Sequence, residues 1–124
     1  MFFYSEQVNL ILSSSVTSLT FSQINLNTSS SLSFILYGIA GSQTELITVS
    51  DNTNQFNYSP STFNLSNGSN QIITVYFVPT TTGSLSGTLT MTAASGNSSI
   101  VELYGSSSWT SVSASGGTTK TINV

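Results

Sequence analysis

The chain has 124 residues, of which one is Lys or Arg and four are Asp or Glu; charged residues make up 4% of it, against about 25% in an ordinary soluble domain. That length allows one domain with a core of its own, and the absence of His and Cys excludes disulfides, thiolate and imidazole catalysis and the common zinc sites. A net charge of -3 carried by so few groups forms no basic patch, so nucleic acid is not an expected partner.

At the N-terminus, Phe2, Phe3 and Tyr4 form an aromatic start suited to packing on a sandwich end or on a partner chain. No basic region precedes the short apolar run Leu10-Ile11-Leu12, which is too short for a signal core or a membrane span. Neither export by a signal peptide nor membrane insertion is therefore expected of a chain that starts at Met1. Val8, Leu10 and Leu12 suggest a first strand, and Val16 to Ile24 a second with Leu19 and Phe21 facing inward. After a turn at Asn27-Thr28-Ser29-Ser30, Leu32, Phe34, Leu36 and Gly38 share one face and Ile35, Tyr37 and Ile39 the other. A strand apolar on both faces is central in its sheet or covered by a neighbour.

Leu46 to Val49 makes the next strand, followed by the loop Asp51-Asn52-Thr53-Asn54. Phe56 and Tyr58 alternate up to Pro60, and Phe63 and Leu65 alternate up to Ser66-Asn67-Gly68-Ser69, a hairpin-type turn signal. From Gln71 to Gly105, three apolar alternations (Ile73-Val75-Phe77, Leu85-Leu89-Met91, Val101-Leu103) are separated by Pro79 to Gly83 and by Ser95 to Ser98. They read as three antiparallel strands in a row. Ser106 to Ser108 then reads as a linker, and the glycines at 116 and 117 allow a small terminal hairpin.

No window has a helical period, and turn signals recur about every 8–12 residues, the pattern of an all-β sandwich. The expected architecture is a two-sheet antiparallel β-sandwich of seven to nine strands spanning residues 16–106. Residues 1–15 are expected to be an N-terminal arm or extra strand, and 107–124 a C-terminal arm or small hairpin. Leu19, Phe21, Phe34, Leu36, Phe56, Val75, Phe77, Leu89, Met91, Val101 and Leu103 are its expected core. Gly87 falls on the inward face of its strand, leaving room for a facing aromatic such as Phe77 or Phe21; a β-bulge there is the rival reading.

The run from Phe77 to Thr90, FVPTTTGSLSGTLT, resembles the Hydin-type (ASH) immunoglobulin-like domains and the related choice-of-anchor modules of bacterial surface proteins. The family pattern has a strand ending F-x-P, a turn with Gly, then G-x-L and a closing V-x-L-x-G, supplied here by Val101 to Gly105. Leu19-Thr20-Phe21 matches its opening L-x-F, and Phe56 and Gly68 fall where a strand phenylalanine and a pre-strand glycine belong. The usual N-x-G after the second strand is missing, with Tyr37-Gly38 its nearest match. The resemblance covers about residues 16–106 and implies an all-β, immunoglobulin-like antiparallel β-sandwich without catalytic residues that binds other proteins or spaces domains apart.

Glu45, Asp51 and Glu102 are the only candidates for a glycosidase pair, and no aromatic-lined cleft accompanies them, so catalysis is not expected. Asp51 to Asn54 offers oxygens to calcium but only one carboxylate, and an Asx-type turn is the favoured role. No cofactor or metal is expected. Asn27, Asn57, Asn64, Asn67 and Asn97 begin N-x-[ST] triplets, which chance supplies in a chain of this composition. Tyr37, Tyr76, Tyr104 and Trp109 offer a sugar- or protein-binding patch, or singly cover neighbouring strands.

Two functional classes fit. One is a structural module that assembles with copies of itself or with a capsid or surface lattice, as a phage decoration or other virion-surface protein does. The other is a cell-surface or secreted adhesion module, carbohydrate-binding included. Few charges are available to guard sheet edges, so the chain ends or a neighbouring subunit are expected to cover them, with Phe2, Phe3, Tyr4 and Trp109 as interface anchors.

Overall fold

Period-two alternation of apolar and hydroxyl residues gives each strand one face for a core and one for the outside. The computed structural model describes residues 7–109, together with 112–113 and 119–120, and arranges these strands as two packed sheets. The first sheet has the order β1 (Leu10–Ser14), β4 (Ser30–Ala40), β8 (Asn70–Phe77), β6 (Phe56–Ser59). The second has the order β2 (Ser18–Thr20), β10 (Ser98–Ser108), β9 (Gly83–Ala93), β5 (Glu45–Asp51), β7 (Thr62–Leu65). β3 (Ile24–Asn25) continues along β10 beyond β2. Pairing is antiparallel except that β2 and β3 run parallel to β10. Counting β2 and β3 as one interrupted strand, the sandwich has nine strands, as expected. The interruption falls at Phe21, whose N–H still reaches Tyr104 O at 2.8 Å while its ring enters the core. Outside the two sheets, β11 (Val112–Ser113) pairs antiparallel with β12 (Thr119–Lys120).

Every residue expected in the core is buried. Leu10 and Leu12 of β1, Ile47 and Val49 of β5, Leu65, Ile73 and Ala93 join them. At the centre, Phe21, Phe56 and Phe77 form a triangle with ring centroids 5.0–5.8 Å apart. Two glycines make room for it. A Cβ on Gly105 would lie 2.6 Å from Phe77 Cε2, and one on Gly87 would lie 3.3 Å from Phe56 Cδ2 and 2.5 Å from Thr53 Cγ2. Gly87 therefore faces an aromatic, but the ring is that of Phe56, not Phe77 or Phe21. The resemblance motifs F-x-P and V-x-L-x-G thus meet where the Phe77 ring lies against Gly105, and the glycine of G-x-L takes the Phe56 ring in the same way.

The turn signals mark turns but do not tell a hairpin from a passage between sheets. β9 and β10 form a true hairpin, closed by Ala93 N–H to Asn97 O at 2.8 Å. β8, however, lies in the first sheet, so Gln71 to Gly105 is not three strands in a row; residues 78–82 carry the chain across the sandwich. Ser66 to Ser69 likewise turns, with Ser69 N–H to Ser66 O at 3.0 Å, but leads from β7 in one sheet to β8 in the other. Ser106 to Ser108 is not a linker: these residues extend β10, pair with Gly83, Ser84 and β3, and bury Ser107.

Candidate interaction surface

The carboxylates expected as weak catalytic candidates are kept apart. Glu45 opens β5 and Asp51 closes it on the inner face, following Ile47 and Val49. Glu102 lies on the outer face of β10, where Thr88 Oγ1 donates to it at 3.1 Å. Among the described residues, no group of three or more His, Cys, Asp or Glu could hold a metal ion. Of the loop oxygens weighed for calcium, those of Asn52, Thr53 and Asn54 already accept protein hydrogen bonds, while Asp51 Oδ2 is buried without a partner. Asn52 Oδ1 accepts Thr88 N–H at 2.8 Å, Thr53 Oγ1 accepts Gln55 N–H at 3.3 Å, and Asn54 Oδ1 accepts Gln55 Nε2 at 2.9 Å. The loop closes one end of the sandwich, with Thr53 in the space that Gly87 leaves.

Gln55 holds that closure. It is buried, its Oε1 accepts Thr80 N–H at 2.8 Å, and its Nε2 donates to Thr80 Oγ1 at 2.9 Å. A polar side chain so placed ties the 51–55 loop to the crossing after Pro79. At the opposite end, Glu45 and Asn97 of the second sheet meet the edge strand of the first. Leu10 N–H donates to Glu45 Oε2 at 2.9 Å, and Leu10 O accepts Asn97 Nδ2 at 2.8 Å. These bonds occupy the backbone groups that Leu10 turns away from β4, so the edge is closed there by side chains of the sandwich itself.

The two outer faces differ in chemistry. Across the second sheet runs a rung of hydroxyls, Thr62, Thr48, Thr92 and Ser98, and its exposed apolar residues Leu46, Ile100 and Tyr104 stand singly. The first sheet presents two rungs of paired isoleucine, Ile11 opposite Ile39 and Ile35 opposite Ile72, with Tyr37 between them on β4. A hydroxyl pair, Ser33 and Thr74 at 3.0 Å, separates this patch from Tyr76. The expected aromatic patch is therefore divided: Tyr37 and Tyr76 lie on one sheet and Tyr104 on the other. Trp109 is exposed just past β10, and Phe2, Phe3 and Tyr4 lie outside the described residues. The signal for the isoleucine patch was β4, apolar on both faces. The strand is central in its sheet, yet its outer face is open.

No family model and no curated protein matches the chain. Among solved structures it is similar to the ASH/PapD-like domain of human CEP192 (PapD-like domain 7), with a TM-score of 0.66 and 14% identity over 88% of this chain and 92% of that one. The chain has the ASH/PapD-like immunoglobulin-like fold. WR4, a C. elegans MSP family member, shares the ASH/PapD-like sandwich at a TM-score of 0.56, with 8% identity over 77% of this chain and 98% of that one. So does the E. coli chaperone DraB, at 0.59, with 12% identity over 77% of this chain and 55% of that one. At these identities the likeness is one of fold, and the placement of side chains on that fold is this chain's own.

Proposed function

We propose that this ASH/PapD-like sandwich is a non-enzymatic structural module that binds other proteins, and that it serves on a virion surface, as a phage capsid decoration or similar virion-associated protein. The observation that carries the reading is the outer face of the first sheet, apolar and, among the described residues, without a charged side chain. A face of that kind is stable in a packed assembly. The dispersed carboxylates support a binding role over a catalytic one. The fold's neighbours include the chaperone DraB, which supports protein partners in general. The test is location: antibody against the protein is applied to purified virions and to the cell-envelope fraction of the host. Labelling of virions supports the proposal, and label on neither fraction sinks it.

One observation favours a second reading. Beside Tyr104, a shallow concavity is lined by the hydroxyl residues Thr20, Ser84, Ser86 and Ser106 together with Phe21, Leu85 and Gly105, so that an aromatic ring and hydroxyls share one surface as at sugar-stacking sites. Label on the cell envelope, together with glycan binding that Tyr104→Ala abolishes, would favour an adhesion or carbohydrate-binding module.

A further inference from the structure

The first sheet's outer face is composed as a strand face meets a core, but nothing within the described chain covers it. Ile11, Tyr37, Ile39 and Ile72 are each between 39% and 57% exposed. Together they present roughly 400 Å² of mostly apolar surface, the scale at which a patch on a monomer is itself functional and about half of the ~800 Å² per partner of a standard interface. Ser13, Ser33, Thr74 and Tyr76 surround it as a polar rim on the same face. We propose that this face is the contact between two copies of the chain, packed sheet against sheet about a two-fold axis; the proposal deepens the reading of the protein as an assembling module and rests on it.

Three observations select a second copy. Along β4 the patch is symmetric about Tyr37, with Ile39 two residues to one side and Ile35 two residues to the other, while Ile11 flanks Ile39 on β1 and Ile72 flanks Ile35 on β8. A two-fold axis through Tyr37, lying in the contact plane across the strands, sets Ile39 of each copy on Ile35 of the other and Tyr37 on Tyr37, a self-complementary match of the three β4 residues. The carboxylates at positions 45, 51 and 102 all belong to the second sheet, so two such faces meet without charge repulsion, and a charged partner would find no counter-charge there. Edge-to-edge growth of the first sheet is also restricted. Glu45 and Asn97 occupy the outward backbone groups of Leu10 on β1, and β6, the other edge, has four residues and stops before Pro60. The face is left, and sheets packed this way sit about 10 Å apart with strands about 30° off alignment.

The test is sedimentation of the intact 124-residue protein over a range of concentrations. The wild type is expected to be a dimer, and Ile39→Glu should weaken it about 10-fold or more while keeping its β-type circular dichroism. The double variant Ile39→Glu with Ile35→Lys should recover the dimer, because the carboxylate introduced at position 39 of each copy then faces the ammonium introduced at position 35 of the other. Leu46→Glu, an equally exposed site on the second sheet, should leave the mass unchanged. A wild type that stays monomeric, an Ile39→Glu protein that stays dimeric, or a Leu46→Glu protein that dissociates equally would each overturn the proposal. A monomer that dimerises only when residues 1–6 are removed assigns the face to the chain's own first residues and overturns it too. A monomer that still labels virions defeats this pairing alone, leaving the assembly reading standing.

Discussion

Gly105 shows how one missing side chain supports the core. The Phe77 ring that occupies its space is fully buried and stacks on Phe56 with centroids 5.0 Å apart, so it has nowhere to retreat. Gly105→Ala should therefore cost about 1–3 kcal/mol by overpacking, read from urea unfolding at constant m-value. Gln55 acts by the opposite means, as a polar group inside. Gln55→Leu keeps the bulk but leaves Thr80 N–H without its acceptor, and should cost about 1–3 kcal/mol in the same assay. Two carboxylates give the stability opposite slopes with pH. Hydrogen bonds from the Ser95 hydroxyl and from the N–H groups of Leu10 and Ser95 hold Glu45 below its ordinary 4.5. Its ionised form thus adds stability above that value, and the gain is lost as pH falls through the lower folded value. Burial, partly offset by a backbone hydrogen bond, raises Asp51 above 3.8, and its Oδ2 is buried without a hydrogen-bond partner. Ionised Asp51 therefore costs stability above its folded value, and the cost disappears as pH falls toward 3.8. In urea midpoints, Glu45→Gln should be weaker than wild type at about pH 7 and converge with it in acid. Asp51→Asn should be stronger at about pH 7 and also converge.

At the scale of elements, β1 joins the chain's beginning to both sheets. It pairs with β4, buries Leu10 and Leu12, and is bonded across the sandwich by Glu45 and Asn97. Leu10→Ala should cost about 2–5 kcal/mol, as truncation of a fully buried leucine does; a loss below about 0.5 kcal/mol would mean that β1 is not part of the core. The inward faces were legible in the sequence because a period of two leaves no choice: once Phe34 and Leu36 face in, Ile35 and Tyr37 face out. Sheet membership was not, because Pro79 and Gly83 dictate a turn but not whether the chain doubles back or crosses over. Ser106 to Ser108 read as a linker since three serines carry no apolar alternation; their β-structure comes from pairing with β9 and β3, which no local pattern encodes. The clamp on Leu10 was out of reach for the same reason, its partners lying 35 and 87 residues away. The isoleucine patch was half legible: β4's two apolar faces marked a strand either central in its sheet or covered by a neighbour, and the strand is central while its outer face stays open.

For the whole molecule, the scarcity of charge sets the response to solvent. With hydroxyls and amides hydrating its surface, the protein's urea midpoint should move little between about 0.05 and 1 M NaCl, a range over which screening removes most exposed ion-pair energy. A large salt-dependent shift would show that unrecognised electrostatic contacts matter to it. The pattern of crossings bears on how such a molecule can come into being. Every connection from β1 to β10 passes between the sheets except β2 to β3 and β9 to β10. No stretch of neighbouring sequence can assemble a whole sheet, so half the chain is not half a fold. The one hairpin within the two sheets, β9–β10, lies near the end of the described sandwich, and its strands are the inner pair against which β2, β3 and β5 align. A ribosome must therefore release almost the whole sandwich before its most local pair of strands can form. Nascent chains stalled before Ser98 should remain open to protease throughout, with resistance appearing in a single step once β10 has emerged.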